Sequence, residues 1–468
     1  MSFSLNGGLL AMEEIDNGGE DLGDVEAAEV AATVADESAE IQESNTDVGI
    51  EVAKVEDAVQ AGEELEALGD LAAASLENGE GLSEESAEAV SIAVESILNR
   101  LGATRETRTV PVAESFGNAS SRRVSTKLVV EGIGDWLKKI WASIKAAAAR
   151  LWDKIRSFLA GLFNSAKSLS KMLVGLKERA RKVPSDYAPK EKKIKAAGVA
   201  KSINWKGKAG LGTFELTIKA ASSLAKAAGA VTAEIKKIND AASSLASSEI
   251  NEANVKTFVD KKSASSAAIV AAFDSGMTAG LDKIDQDTAL VKKEKAKVNN
   301  KKTGDTTVKG SFGPFPGNTV LTCVVSSNTV LGVKEENVSL AFEAAPGKVA
   351  EEVDALSISE IQGVIETSLK LSNAIADFQA TQKNAEAITK AQQGVADTIL
   401  KQAEKILAKT GSSSETRQGL SELKSSVADS MAMLNTFGNN APTMTFRAAR
   451  AGADYASICL RNLGPKSK

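Results

Sequence analysis

The side chains best suited to bind a ligand lie between residues 136 and 158, where large apolar and basic residues are interleaved. The apolar residues recur every three or four positions, which is typical of one face of a helix: Trp136, Ile140, Trp141, Ile144, Leu151, Trp152, Ile155 and Phe158. Much of the remaining circumference is basic: Lys138, Lys139, Lys145, Arg150, Lys154 and Arg156. Basic side chains at this density can bind the phosphates of a nucleic acid without reading its base sequence.

The sequence leaves three interpretations of this amphipathic stretch open. Its apolar face can pack against other helices of the same chain. It can lie on an anionic membrane, where Trp and a cationic face are favourable. It can also dock on a partner protein or on nucleic acid. A second basic cluster leaves a choice between a solvated helix end and another polyanion contact: Lys292, Lys293, Lys295 and Lys297.

A single helix is expected to carry the amphipathic stretch. Asp135 is a residue type that caps helix starts, and Pro184 cannot continue a helix. We therefore predict a basic amphipathic helix over 136–182, preceded by a junction or linker over 115–135.

The rest of the chain also reads as mainly helical. Segments rich in Ala, Ser and Lys predict several helices over 190–302, and a long apolar stripe predicts a helical bundle over 348–464. Between them, β-branched runs broken by Gly, Pro and Asn predict a small antiparallel β patch over 304–345. The predicted fold class is mainly α, an elongated helical bundle with a small β patch behind an acidic leader.

The two ends of the chain have opposite charge. Residues 1–114 hold 28 Asp and Glu against 4 Lys and Arg, a net charge of −24, whereas residues 115–468 have a net charge of +18. The leader has few large apolar groups to offset the entropy of ordering, so we expect it to be largely disordered, with short helices near Glu51–Leu71 and Ser83–Leu101. It would act either as a solubilising tail or as a segment that keeps the basic remainder from polyanions until it is removed.

Nothing in the sequence points to catalysis. The chain has no histidine, and its two cysteines, Cys323 and Cys459, are far apart. Phosphate-binding loops, nucleophile elbows and zinc-protease motifs do not occur in it. We predict no catalytic, cofactor-binding or metal-binding residues, and a protein that is not an enzyme.

The order of an acidic leader, a Glu-Ser-Phe-Gly junction at residues 114–117 and a Trp-rich basic helix resembles a known protein family. It is similar to the internal head proteins, or inner-body proteins, of giant tailed bacteriophages. The resemblance implies that the leader is a propeptide that directs the protein into the prohead. It also implies that a prohead protease cuts after a Glu preceded two positions earlier by a small or aliphatic residue.

The processing site implied by this resemblance is Val112-Ala113-Glu114 followed by Ser115, because the sign of the charge changes there. Other small-x-Glu triplets, such as Ser75-Leu76-Glu77, leave alternative sites open. The implied partners are the prohead protease, capsid or scaffold proteins, other internal head proteins and packaged double-stranded DNA. The protein would be made in the host cytoplasm and end inside the capsid. The alternative is a membrane-associating helical protein that uses the Trp-rich helix as an interfacial anchor.

Overall fold

Helices make up most of the protein. The computed structural model describes residues 22–102, 113–273, 298–300, 304–345, 347–408 and 414–465. The helices are α1 Leu22–Glu77, α2 Glu84–Arg100, α3 Ala119–Lys182, α4 Ala197–Ser202, α5 Leu211–Ser247, α6 Glu252–Ala272, α7 Ile358–Ala374, α8 Phe378–Ala408, α9 Ser414–Asn435 and α10 Ala441–Arg461. The strands are β1 Tyr187–Pro189, β2 Lys193–Lys195, β3 Val298–Asn300, β4 Gly304–Phe315, β5 Thr319–Val330, β6 Val333–Ala344, β7 Glu352–Asp354 and β8 Leu463–Pro465.

The longest helices, α1 and α3, run antiparallel along each other. Asp47 of α1 pairs with Lys154 of α3, and Gly62 further along α1 lies against Ile140. At a rise of about 1.5 Å per residue, α1 extends for roughly 84 Å, which gives the bundle its elongated form.

The helices expected in the leader near Glu51–Leu71 and Ser83–Leu101 lie within α1 and near α2, and α1 is longer than expected. Both α1 and α2 contribute to the hydrophobic core, through residues such as Val48, Val55, Val90 and Val94. The leader's small apolar residues do not form a core of their own. They are buried because α3 supplies the opposite surface.

Helix α3 begins earlier than predicted. Asn118 is its N-cap, with Oδ1 accepting a hydrogen bond from Ser121 N at 2.9 Å. Asp135, predicted to cap the helix, lies inside it, and most of the predicted linker over 115–135 is helical. The reason is that the apolar stripe continues upstream: Val129 and Ile133 are buried. The helix ends at Lys182, just before Pro184, as predicted.

Helices α7, α8 and α10 pack against α3, and α5 packs against α8 and α10 to complete the bundle. The inner face of α5 is rich in alanine, which allows the helices to approach closely. A buried polar contact joins α5 to α9, where Asn239 Nδ2 donates to Ser430 Oγ at 2.9 Å. The mainly α fold class is confirmed.

The predicted antiparallel β patch is also confirmed. Strands β3, β4, β5 and β6 form one four-stranded antiparallel sheet in chain order. A row of edge-to-face aromatic contacts links it to the end of α6: Phe273, Phe312, Phe315 and Phe342. Two short antiparallel pairs, β1 with β8 and β2 with β7, tie the loop after α3 to later parts of the chain.

Candidate functional site: the leader interface

The predicted apolar stripe of α3 lies inside the protein. Six of its eight residues are buried, and Trp136 and Trp152 are half-buried: the six are Ile140, Trp141, Ile144, Leu151, Ile155 and Phe158. Helices α1, α7 and α8 cover α3 along its length. The stripe therefore serves packing within the chain and does not offer a free apolar face for lipid.

We call the surface where α1 covers α3 and α9 the leader interface. The side of α1 that faces the body carries small apolar residues at helical spacing: Ile41, Val48, Val52, Val55, Val59 and Leu65. These residues are all at most 5% exposed. Removal of α1 would return this surface and its counterpart to water.

A glycine of α1 lies against α3 at this interface. A Cβ atom at Gly62 would lie 3.7 Å from both Ile140 Cγ2 and Trp141 Nε1. A methyl group there would make ordinary van der Waals contact, and a larger side chain would have to be fitted against the buried Trp141. Trp141 itself is 1% exposed, so α1 seals it from solvent.

Leader acids pair with predicted polyanion-binding residues on the α3 wall of the interface. Glu51 Oε2 lies 3.4 Å from Arg150 Nε, and Asp47 Oδ2 lies 3.2 Å from Lys154 Nζ. Burial of Glu51 acts to raise its pKa, but Lys54 and Arg150 oppose this and hold the pKa below its usual value. Glu51 is thus held in its charged form by one cation of the leader, Lys54, and one cation of the body, Arg150.

The α9 wall carries a second set of cations. Lys424, which is buried, pairs with Glu66, and Arg417 Nη2 lies 3.7 Å from Asp70 Oδ1. Burial lowers the pKa of Lys424 to about 8, and the charge of Glu63 opposes that shift. The leader therefore meets basic residues on both walls of its groove.

The other predicted polyanion-binding residues are not collected in one site. Lys145 pairs with Asp397 of α8, at 2.7 Å, and Lys139 Nζ lies 4.4 Å from the centre of the Trp136 ring. Lys138 lies 3.5 Å from Asp135, and Arg156 is exposed. The cluster at Lys292, Lys293, Lys295 and Lys297 lies outside the described residues.

The predicted processing site lies where the leader joins the body. Ala113, Glu114 and Ser115 belong to a 3-10 turn over Ala113–Phe116, whereas Val112 lies outside the described residues. The turn is fastened on its C-terminal side, because Ser125 Oγ donates to the Ser115 carbonyl at 3.0 Å and the Phe116 ring is buried. A protease that binds extended substrate would need this turn to open locally first.

Sequence reasoning missed Gly62, Glu66 and Lys424. The leader residues had a local signal: Val48, Val52, Val55 and Val59 follow a helical 4-3-4 spacing within the acidic segment. Nothing near Lys424 in the sequence marks it as a partner of the leader.

Two further observations concern the described part of the chain. It holds no cluster of three or more His, Cys, Asp or Glu side chains able to bind a metal ion. None of the helices in that part is both long enough and apolar enough to span a bilayer.

Comparison with known proteins gives one family. The sequence model of the phiKZ-like phage internal head proteins matches residues 21–457, which include both the leader helices and the body. No curated protein and no solved structure matches the chain. Since the match spans nearly the full length, the chain belongs to the phiKZ-like phage internal head proteins, structural proteins of the head interior.

Proposed function

We propose that the leader is a propeptide whose acids pair with basic residues of the body during head assembly, and that the body contacts packaged DNA after the leader is removed. One observation supports this most directly. Leader residues Asp47 and Glu51 pair with Lys154 and Arg150, which were predicted from the sequence to bind polyanions.

The overall charges agree with this proposal. Removing residues 1–114 takes away a net charge of −24 and leaves a body of +18. Duplex DNA carries about one negative charge per 1.7 Å, so the body would bind it through phosphates, independently of sequence and in a salt-dependent manner. Exposed Arg156 would supply contacts, together with Arg150 and Lys154 once they are freed from their leader partners.

Proteolysis after Glu114 by the prohead protease would separate the two parts. While the leader is attached, its exposed acids, such as Glu43, would also engage basic capsid or scaffold proteins and other internal head proteins. The protein would be synthesised in the host cytoplasm and then enclosed in the capsid.

Mass spectrometry of the protein from purified phage particles tests the maturation step. We expect an N-terminal peptide that begins at Ser115. A particle-derived protein that keeps residues 22–102 covalently attached would contradict the proposal.

Duplex binding across salt concentrations tests the DNA contact. We expect the leader-free body to bind more tightly than the full chain, and Lys154→Gln to reduce the salt slope of the body by about 1. Lys261→Gln, which changes an exposed lysine on α6, is the matched control and should leave the slope within error of the unaltered body. Equal, salt-insensitive affinities of the body and the full chain would contradict a DNA role.

A further inference from the structure

We infer that α1 is a ligand of the body, and that it remains bound in the groove between α3 and α9 after the chain is cut at the junction. This inference rests on the division into leader and body in the proposed function. It adds that cleavage alone does not free Arg150 and Lys154 from their acidic partners, and that release of α1 is a separate step.

The apolar side of α1 is the first reason. It buries nine apolar residues within the described structure: Ile41, Val48, Val52, Val55, Ala58, Val59, Ala61, Leu65 and Ala72. Burial of apolar surface is not screened by salt, and it does not depend on a covalent link. The fit of Gly62 over Trp141 gives this contact a specific register.

The polar contacts occur on both walls and along much of the helix. Asp47 and Asp70 are 23 positions apart on α1, or about 35 Å, and they pair with α3 and α9 respectively. Between α9 and α10, Asn439 Nδ2 donates to the Asn45 carbonyl at 3.1 Å. The groove therefore fits one class of ligand, an acidic amphipathic helix with a small residue where it crosses Trp141.

The chain after α1 adds a further contact to the leader's side of the cut. Leu82 N donates to Thr126 Oγ1 of α3 at 2.9 Å, and Gly81 has φ +70° close to the backbone of Arg122. The leader is thus held at its end near the start of α3 as well as along α1.

Binding of α1 and binding of DNA would compete, because both use Arg150 and Lys154. The two should respond differently to salt. Phosphate contacts weaken steeply as salt rises, whereas the leader's apolar contacts do not. A released α1 should lose helical content, because most of the stability of a helix in a protein comes from packing of its apolar face against the rest of the structure.

The test is a full-length chain in which a site-specific protease sequence replaces part of residues 103–112. After cutting, we expect the two fragments to elute together in size-exclusion chromatography at about 0.15 M and about 0.5 M salt, with unchanged circular dichroism. Separate elution of the leader at the lower salt concentration, with a loss of helical signal, would overturn the inference.

Two glycines of α1 provide a matched pair of variants. Gly62→Leu should weaken retention of the cut leader by about tenfold or more, because a leucine overpacks the contact with Ile140 and Trp141. Gly49→Leu changes the same residue type where a Cβ would meet nothing within 4 Å, and it should retain the leader. Equal retention in the two variants would contradict the assigned register. If Gly62→Leu does not fold, the cut chain with its natural Gly62 still decides.

This outcome is distinguishable from failure of the proposed function. If α1 stays bound after the cut, and a body prepared without the leader does not bind DNA, this inference stands and the proposed DNA contact is wrong. If α1 dissociates on cutting and the body binds DNA, the DNA role stands and this inference fails.

Discussion

Lys262 and Glu335 form an ion pair inside the protein, with Lys262 Nζ 2.6 Å from Glu335 Oε1 and both side chains at most 3% exposed. Glu422 and Asp429 of α9 lie 3.4 Å and 3.8 Å from the same nitrogen. The pair joins α6 to strand β6 and α9, so it fastens the β patch to the bundle. A charge in such a place is tolerated only with its partner.

Lys262→Met should therefore destabilise the protein strongly, by about 3–5 kcal/mol, because it leaves Glu335 buried without its cation. Urea unfolding followed by circular dichroism would measure the change. Lys261→Met, at the exposed neighbouring position, should stay within about 0.5 kcal/mol of the unaltered chain. Adding Glu335→Gln to Lys262→Met should recover part of the loss. A double variant less stable than Lys262→Met would contradict the claim that the loss comes from the unpaired charge of Glu335.

The same cluster predicts that the free energy of unfolding depends on pH. Burial raises the pKa of Glu422 from its usual 4.5 to about 7, despite the opposing charge of Lys262. The folded protein thus holds this proton more tightly than the unfolded chain does. The contribution of Glu422 to the free energy of unfolding should fall by on the order of 1–3 kcal/mol as pH rises from 4.5 to about 7, and stay level above that.

Glu422→Gln isolates this contribution, since other groups titrate in the same range. The difference in unfolding free energy between Glu422→Gln and the unaltered chain should change between about pH 5 and about pH 7.5. These two pH values lie below and above the raised pKa of Glu422. A difference that is constant over this interval would show that Glu422 is already ionised at pH 5.

Two helical glycines predict opposite effects of the same substitution. A Cβ at Gly452 of α10 would collide with Ser368 Oγ and lie 2.8 Å from Phe214 Cε2, whereas a Cβ at Gly363 of α7 would meet nothing within 4 Å. Gly452→Ala should cost about 1–3 kcal/mol through overpacking. Gly363→Ala should stabilise by about 0.4–1 kcal/mol through reduced entropy of the unfolded chain. Thermal unfolding of both variants would measure these effects. A shift of the unfolding temperature in the same direction in both variants would contradict the different packing of Gly452 and Gly363.

Glu51 predicts how acid affects the leader. Its pKa is held below the usual value by Lys54 and Arg150 against burial, so its contribution to stability is present above pH 4.5 and is lost as pH falls through the lowered pKa. Glu51→Gln should loosen α1 at neutral pH, seen as faster hydrogen exchange of α1 amides. Glu43→Gln, an exposed position on the same helix, is the control. Equal exchange rates in both variants would mean that the ion pairs of Glu51 do not stabilise α1.

Local periodicity was sufficient to predict much of the body. The spacing of Ile140, Ile144 and Leu151 predicts a helix with one apolar face, and α3 has that face buried. The β-branched run from Thr319 to Val325 predicts a strand, and it lies within β5. These predictions hold because the signal and the structure involve the same few consecutive residues.

The helical structure of the leader was harder to predict, because residues distant in the sequence stabilise it. Its acid content argues for disorder, and its valines alone cannot offset the entropy of ordering a helix. The surface that stabilises α1 belongs to α3 and α9. Glu51 and Arg150 are 99 positions apart, and Glu66 and Lys424 are 358 positions apart.

The sequence by itself determined the division of charge between leader and body, the mainly helical fold and the apolar stripe of α3, since each is a property of composition or of neighbouring residues. Only the tertiary structure decided which surfaces cover that stripe and which acids meet Arg150, Lys154 and Lys424. Packing brings together residues that share no local pattern, because burial and charge pairing depend on distance in space and leave no trace in sequence spacing.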